Sequence, residues 1–180
     1  MPNWCNNDLT VTGPAKDLAR FIKRSKTEGK ADDGTPYSYD FSFEPHLPLP
    51  KCLDVGPDDG SKRPANVAAT GFSSWYDRNN AVLGTKWDVR GELCKGASDS
   101  HMAAYTFDSA WSPPQAGIQA VSALYPSLTF ELTWDEPGGD FAGNATYKAG
   151  ACIEEDNYDS IINKESRAEE LLQNKDERGE

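Results

Sequence analysis

The segment LTFELTW at residues 128–134 alternates apolar and polar side chains without a break, and this period of two constrains the fold more than any other feature of the chain. In a strand, successive side chains point to opposite faces. Leu128, Phe130, Leu132 and Trp134 therefore face a core, while Thr129, Glu131 and Thr133 face water. A strand with one wet face belongs to an antiparallel sheet, because parallel sheets are covered on both faces. The rest of the chain must supply further strands of this kind and helices to cover one side.

Residues 4–12, WCNNDLTVT, place Leu9 and Val11 on one side, and YTFDS alternates Tyr105 and Phe107 with Thr106 and Asp108. After the turn EPGGDFAG, NATYKAGACIE predicts a return strand. Helices fall between. AKDLARFIKRSK follows Gly13 and Pro14, lines up Leu18, Phe21, Ile22 and Ser25, and is expected to end near Gly29. SSWYDRNNAVLGTKWDV predicts an N-cap at Ser73 or Ser74, a short helix, a stop at Gly84 and an extended KWDV. SPPQAGIQAVSALYP carries the clearest helix signal. Ser112 and Gln115 have capping-box spacing, two prolines open the helix, Ile118, Val121 and Tyr125 form its apolar side, and Pro126 ends it. Residues 29–71 are rich in Gly, Pro, Asp and Lys and interrupt this order as an insertion or sheet edge, with Phe41 and Phe43 alternating as in a short strand.

Strand and helix, decorated strands, then strand, helix and strand predict two split β-α-β units packed as one antiparallel sheet with helices on one face, a ferredoxin-like α+β fold. The chain has 180 residues, which suits one domain. We assign residues 1–153 to it, with the insertion at 29–71, and residues 154–180 to an acidic helical tail carrying Tyr158, Ile161, Ile162, Leu171 and Leu172 at helical spacing. Only 37% of residues are hydrophobic, so the aromatics, five tryptophans among them, must provide much of the burial.

Net charge is −11. Residues 154–180 hold ten acidic and four basic side chains, a net −6 that leaves −5 for the body. That balance argues against direct binding to a nucleic-acid backbone, which needs Lys and Arg on phosphates. RNA readout on the open sheet face is excluded for the same reason, and because its LTFELTW strand presents Thr129, Glu131 and Thr133 there. The sequence has no apolar run of membrane-spanning length and no signal-peptide pattern, so a cytoplasmic protein with no membrane contact is expected. Cys5, Cys52, Cys94 and Cys152 form no CxxC pair, and with only His46 and His101 they spell no metal or redox motif; we expect no cofactor.

Strand alternation sends Trp4, Asn6 and Asp8 to the face away from the helices, with Asp108 beside them and Asn3 at the strand's start. A tryptophan flanked by such side chains suits stacking of a planar ligand and reading of its edge; the alternative is that the insertion covers this face and Trp4 joins a core. Trp75, Tyr76, Trp87, Asp88 and Trp111 form a second group, either pins at fold corners or part of a ligand or partner site. Asp88, Asp108, Glu136 and Asp140 make a carboxylate site if they gather, yet strand ends and turns are also where carboxylates cap amides. Cys5 with a histidine is a poor nucleophile pair, since alternation puts Cys5 on the covered side.

MPNWCNNDLTVTGP, FSFEPHLPLP, WYDRNNAVLGTKWDV, YTFDSAWSPP and LTFELTWDEPGGDFAG, in that order, resemble the YubB-like proteins of phages and plasmids, which have a ferredoxin-like domain. The resemblance covers about residues 1–145 and leaves the acidic tail outside. It implies a ferredoxin-like fold and a mobile-element origin, and no reaction.

The expectation is thus a non-catalytic binding protein of a phage or plasmid, acting in the bacterial cytoplasm and neutralising a host defence factor. Its partner is either a nucleotide-like small molecule on the Trp4 face or a host protein on the insertion and acidic surface. A small enzyme with a carboxylate site, an acidic DNA mimic, and a homodimer formed through a sheet edge stay open.

Overall fold

The computed structural model describes residues 2–31, 33–54 and 60–166. Strands β1 (Trp4–Thr12), β4 (Glu92–Leu93), β5 (Met102–Ala110), β6 (Thr129–Glu136), β7 (Phe141–Lys148) and β8 (Ala151–Tyr158) form one sheet in the order β4-β5-β1-β6-β7-β8, with every neighbouring pair antiparallel. Helices α1 (Ala15–Ser25), α2 (Arg63–Thr70), α3 (Trp75–Val82) and α4 (Gln115–Leu124) complete the α+β architecture, and strands β2 (Thr27–Lys30) and β3 (Pro36–Tyr39) make a separate hairpin.

The predicted period of two governs burial on both central strands. In β6, Phe130, Leu132 and Trp134 are buried while Glu131 and Thr133 are exposed. In β1, Cys5, Asn7, Leu9 and Val11 are buried between the exposed Trp4, Asn6 and Asp8. The covered face centres on Phe21 of α1, whose ring meets those of Phe41, His46, Tyr105, Tyr125 and Phe130 at centroid distances of 5.3 to 6.1 Å. Edge-to-face and offset contacts of this kind add to the area that the rings bury.

Both expected split units are present: β1 and β4 each run antiparallel to β5 and hence parallel to each other, and α1 with the insertion joins them around it. β5 and β6 both run antiparallel to β1 and hence parallel to each other, and α4 joins them around it. Strands β7 and β8 extend the sheet beyond β6 as a meander. In its last turn Ala149 (φ 51°) and Gly150 (φ 84°) both adopt the left-handed conformation, the geometry of a tight two-residue hairpin. NATYKAGACIE is therefore two strands. The second runs to Tyr158, so the sheet includes residues 154–158 that the sequence assigns to a helical tail; residues 161–166 are helical, and Leu171 and Leu172 lie outside the described residues.

Three further expectations are corrected. α1 ends at Ser25, where the next residue is already extended and leads into β2. KWDV forms no strand: the Asp88 carboxylate accepts the Val89 amide and those of Phe43 and Glu44, and pairing begins only at the Gly91 bridge to Phe41. The Ser112 capping box is not made: its hydroxyl donates to the Gly84 carbonyl at 2.7 Å, tying the end of α3 to the start of α4. The N-cap at Ser74 does form, accepting from the Asp77 amide.

Candidate functional site

The insertion returns against the β4-β5 edge through Phe41, which pairs with Gly91, and both Phe41 and Phe43 are buried. Among the described residues, Asn6, Asp8, Glu131 and Thr133 of the open face are exposed. Beside that edge, a cleft of 1020 Å³ separates the end of the sheet from the β2-β3 hairpin. Trp4, Asp108, Trp87 and Asp88 line one wall; Lys30, Tyr37, Tyr39 and Arg90 line the other.

The aromatic groups are placed by short, specific restraints. The Thr85 hydroxyl donates to the Ala110 carbonyl at 2.9 Å and accepts from the Ala110 amide, and Ala110 is paired in register with Trp4. Two residues on, Trp87 lies with its ring 6.1 Å from that of Trp4. Asp88 fixes the other side of this loop by accepting from the amides of Phe43 (2.7 Å), Glu44 (2.9 Å) and Val89 (2.7 Å). Burial raises its carboxyl above the ordinary carboxylate range, opposed by those three amides. With its oxygens committed to backbone amides, Asp88 is a structural clamp and not a general base.

Held this way, Trp4 is 48% exposed and Trp87 38% exposed. Large aromatic rings so open at the mouth of a concave site are the unusual observation, since a tryptophan is normally mostly buried. The Lys86 ammonium covers one face of Trp87 at 4.3 Å, which leaves Trp4 the more open ring. Opposite them, Tyr37 and Tyr39 stack at 5.2 Å, and the Arg90 guanidinium sits 5.3 Å from the Tyr39 ring. Three carboxylates, Glu44, Asp88 and Asp108, and two cations, Lys30 and Arg90, line the cleft.

The remaining candidates separate. Asn6 lies opposite Asp108 on β5 and Asp135 on β6, and Asp8 opposite Thr106 and Thr133, so both belong to the open face next to the cleft. The Asn3 carbonyl accepts the Trp111 amide at 3.0 Å, and Trp111, at φ 72° and exposed, turns the chain out of β5. Trp75 and Tyr76 meet edge-on at 5.9 Å on α3 and do not line the cleft. Glu136 is buried and accepts the Gly138 amide at 3.0 Å and the Gly139 amide as well, while Asp140 receives the Asn163 side chain at 2.9 Å. The four carboxylates thus do not gather.

Acid-base and thiol chemistry find no constellation either. Burial pushes the Cys5 thiol up to about 12, and its side-chain neighbours are Asn7 and Ser109. His46 stacks on Phe21, contacts the Ser25 hydroxyl through Nε2 at 3.0 Å, and is held down to about 4 by burial, with the charge of Arg24 adding to the effect. His101 is exposed beside the Gly13 carbonyl. Among the described residues, no group of three His, Cys, Asp or Glu side chains is placed to hold a metal ion, and no helix is long and apolar enough to cross a membrane.

Sequence reasoning missed the hairpin wall. The signal is TPYSY: in an otherwise polar insertion, Tyr37 and Tyr39 are two residues apart and so share one face of a strand.

Residues 85–175 match the family described as the ferredoxin-like domain in Api92-like protein. The crystal structure of protein Api92 from Yersinia pseudotuberculosis superposes with a TM-score of 0.52 at 12% identity, over 89% of this chain and 99% of that one. At that identity the likeness carries the fold alone. No curated protein matches the chain.

Proposed function

The chain belongs to the family of the ferredoxin-like domain in Api92-like protein, and on that premise we propose that it is a non-catalytic binding protein whose cleft holds a planar, nucleotide-like small molecule. The observation that carries this reading is the exposed Trp4 and Trp87 pair at the mouth of the 1020 Å³ cleft. A base stacks on the open ring, polar groups on the neighbouring strands meet its edge, and Lys30 and Arg90 balance an anionic end. Stacking on an aromatic platform contributes about 1 to 3 kcal/mol per base. The resemblance to YubB-like phage and plasmid proteins supports a mobile-element origin, with action in the bacterial cytoplasm and sequestration of a host defence molecule as the biological role.

Native mass spectrometry of the chain purified from bacterial cells tests this. The expected result is a retained small molecule that the Trp4→Ala variant loses while keeping its melting temperature. A Trp4→Ala variant that retains the molecule, or no bound mass at all in the parent, overturns the reading.

A second reading has its own observation. The open face carries Asp8, Glu131, Glu154 and Asp156 in successive rows across β1, β6 and β8, with Lys148 at the end of β7. Such a face suits a basic protein surface by charge, and its mark in the same experiment is a co-purifying polypeptide that high salt releases.

A further inference from the structure

Resting on the small-molecule reading of the cleft, we infer that the ligand is a guanine nucleotide, recognised at its base edge by the Asp108 carboxylate. Asp108 projects from the exposed face of β5 into the cleft and has no hydrogen-bond or ion-pair partner among the described residues. The other two carboxylates that line the cleft are committed, Glu44 accepting the Leu49 amide at 3.1 Å. Asp88 clamps amides, Glu136 caps a turn, and Asp135 accepts the Ser160 hydroxyl at 2.6 Å and the Ile161 amide at 2.7 Å. Asp108 is the open carboxylate of the sheet wall, and it sits one diagonal step from Trp4: Ala110, two residues along the same strand, is Trp4's register partner. Diagonal neighbours across an antiparallel pair lie about 7 to 8 Å apart, within the span of a base stacked on the indole.

An ionised carboxylate offers two acceptor oxygens and no donor. Its best planar complement is therefore an edge with two adjacent N–H donors. Guanine has that edge in its ring N1–H and its 2-amino group. Adenine and cytosine each put a ring acceptor beside their amino donor, and that acceptor meets the second carboxylate oxygen unfavourably. Uracil has one N–H flanked by carbonyls. Lys30, at the end of β2, also lines the cleft, and a lysine ammonium suits a nucleotide's phosphate as a compact point charge.

Isothermal titration calorimetry of the full chain with GMP, IMP, AMP and XMP separates the possibilities. We expect GMP to bind about ten- to hundredfold more tightly than AMP, with IMP between them because it keeps N1–H and lacks the amino group. Asp108→Asn replaces one acceptor with an amide donor, so the variant is expected to lose GMP and gain XMP, whose 2-carbonyl accepts from that amide. Lys30→Ala is expected to bring GMP down to the affinity of guanosine. Asp108 is solvent-exposed, so these variants should melt with the parent, and a melt on each preparation checks that. Equal binding of GMP and AMP, or an Asp108→Asn variant with unchanged preference, overturns the guanine inference and leaves a stacking cleft intact. Failure of every nucleotide, with a different small molecule retained by the parent in native mass spectrometry, also overturns it. Failure of every nucleotide with nothing retained removes the small-molecule reading as well.

Discussion

The protein holds two aromatic clusters built on the two faces of the same strands, and they differ in what surrounds the rings. Around Phe21 every ring is packed: Phe41 and Phe130 are fully buried, Tyr105 is 1% exposed, and even the one imidazole, His46, is enclosed. Around Trp4 the rings meet solvent across the cleft, placed by the hydrogen bonds that the Thr85 hydroxyl and the Asp88 carboxylate make to backbone groups. Burial makes the first cluster a source of stability; positioning without burial leaves the second open to solvent and, in the function we propose, to a ligand. The contrast is therefore between rings that the fold needs and rings that the fold merely presents.

The largest expected effect falls on the buried side. Phe21→Ala removes the hub of five ring contacts and should cost about 3 to 5 kcal/mol in urea unfolding. A loss of under about 1 kcal/mol would mean that the cluster collapses easily around the gap and is less specifically packed than described.

His46 sharpens the comparison through pH. Its pKa falls from 6.5 to about 4 on folding, so between those values the unfolded chain binds a proton that the native chain refuses. Stability from this group is full above pH 6.5 and is lost as pH falls toward 4, a total of about 3 kcal/mol by linkage. Urea midpoints measured at pH 7.5 and 4.5 should drop more in the parent than in His46→Gln. Equal drops would show that the imidazole is as accessible to protons as the cleft residues are.

Asp88→Ala acts on the boundary between the two regions. It leaves the amides of Phe43, Glu44 and Val89 without their acceptor, at about 1 to 3 kcal/mol, and should loosen Trp87. Amide hydrogen exchange at those three positions should rise in the variant, and unchanged protection would contradict the clamp. The smallest effect is expected for Trp4→Ala combined with Trp87→Ala, under about 1 kcal/mol of stability despite the loss of two tryptophans, as for surface substitutions in general. A loss as large as that of Phe21→Ala would erase the distinction.

Much of this contrast was written in the local pattern. Strict alternation in LTFELTW and WCNNDLTVT put Trp134 and Cys5 inside and Trp4, Asn6 and Asp8 outside, because a period of two fixes facing regardless of what the strand pairs with. The N-cap at Ser74 was equally local. What failed depended on distant partners. Ser112 looked like a helix cap until the Gly84 carbonyl, 28 residues away, claimed its hydroxyl. KWDV looked extended until the Asp88 carboxylate met the amides of residues 43 and 44. NATYKAGACIE looked like one strand until left-handed Ala149 and Gly150 made a hairpin of it, from a stretch with no strong turn signal. Site residues divide in the same way: Trp4 and Asp108 were legible from the alternation of the central strands, while Lys30, Tyr37 and Tyr39 belong to the site only because the insertion folds back beside the sheet.

The five tryptophans make the account directly measurable, since each indole N–H gives its own signal in a ¹⁵N–¹H spectrum, assigned by single Trp→Phe replacements. During titration with GMP and then AMP, the central claim predicts that the Trp4 and Trp87 signals move together while buried Trp134 and the α3 residue Trp75 stay still. Movement of Trp75 or Trp111 without Trp4, or no movement of any indole with either nucleotide, would contradict it.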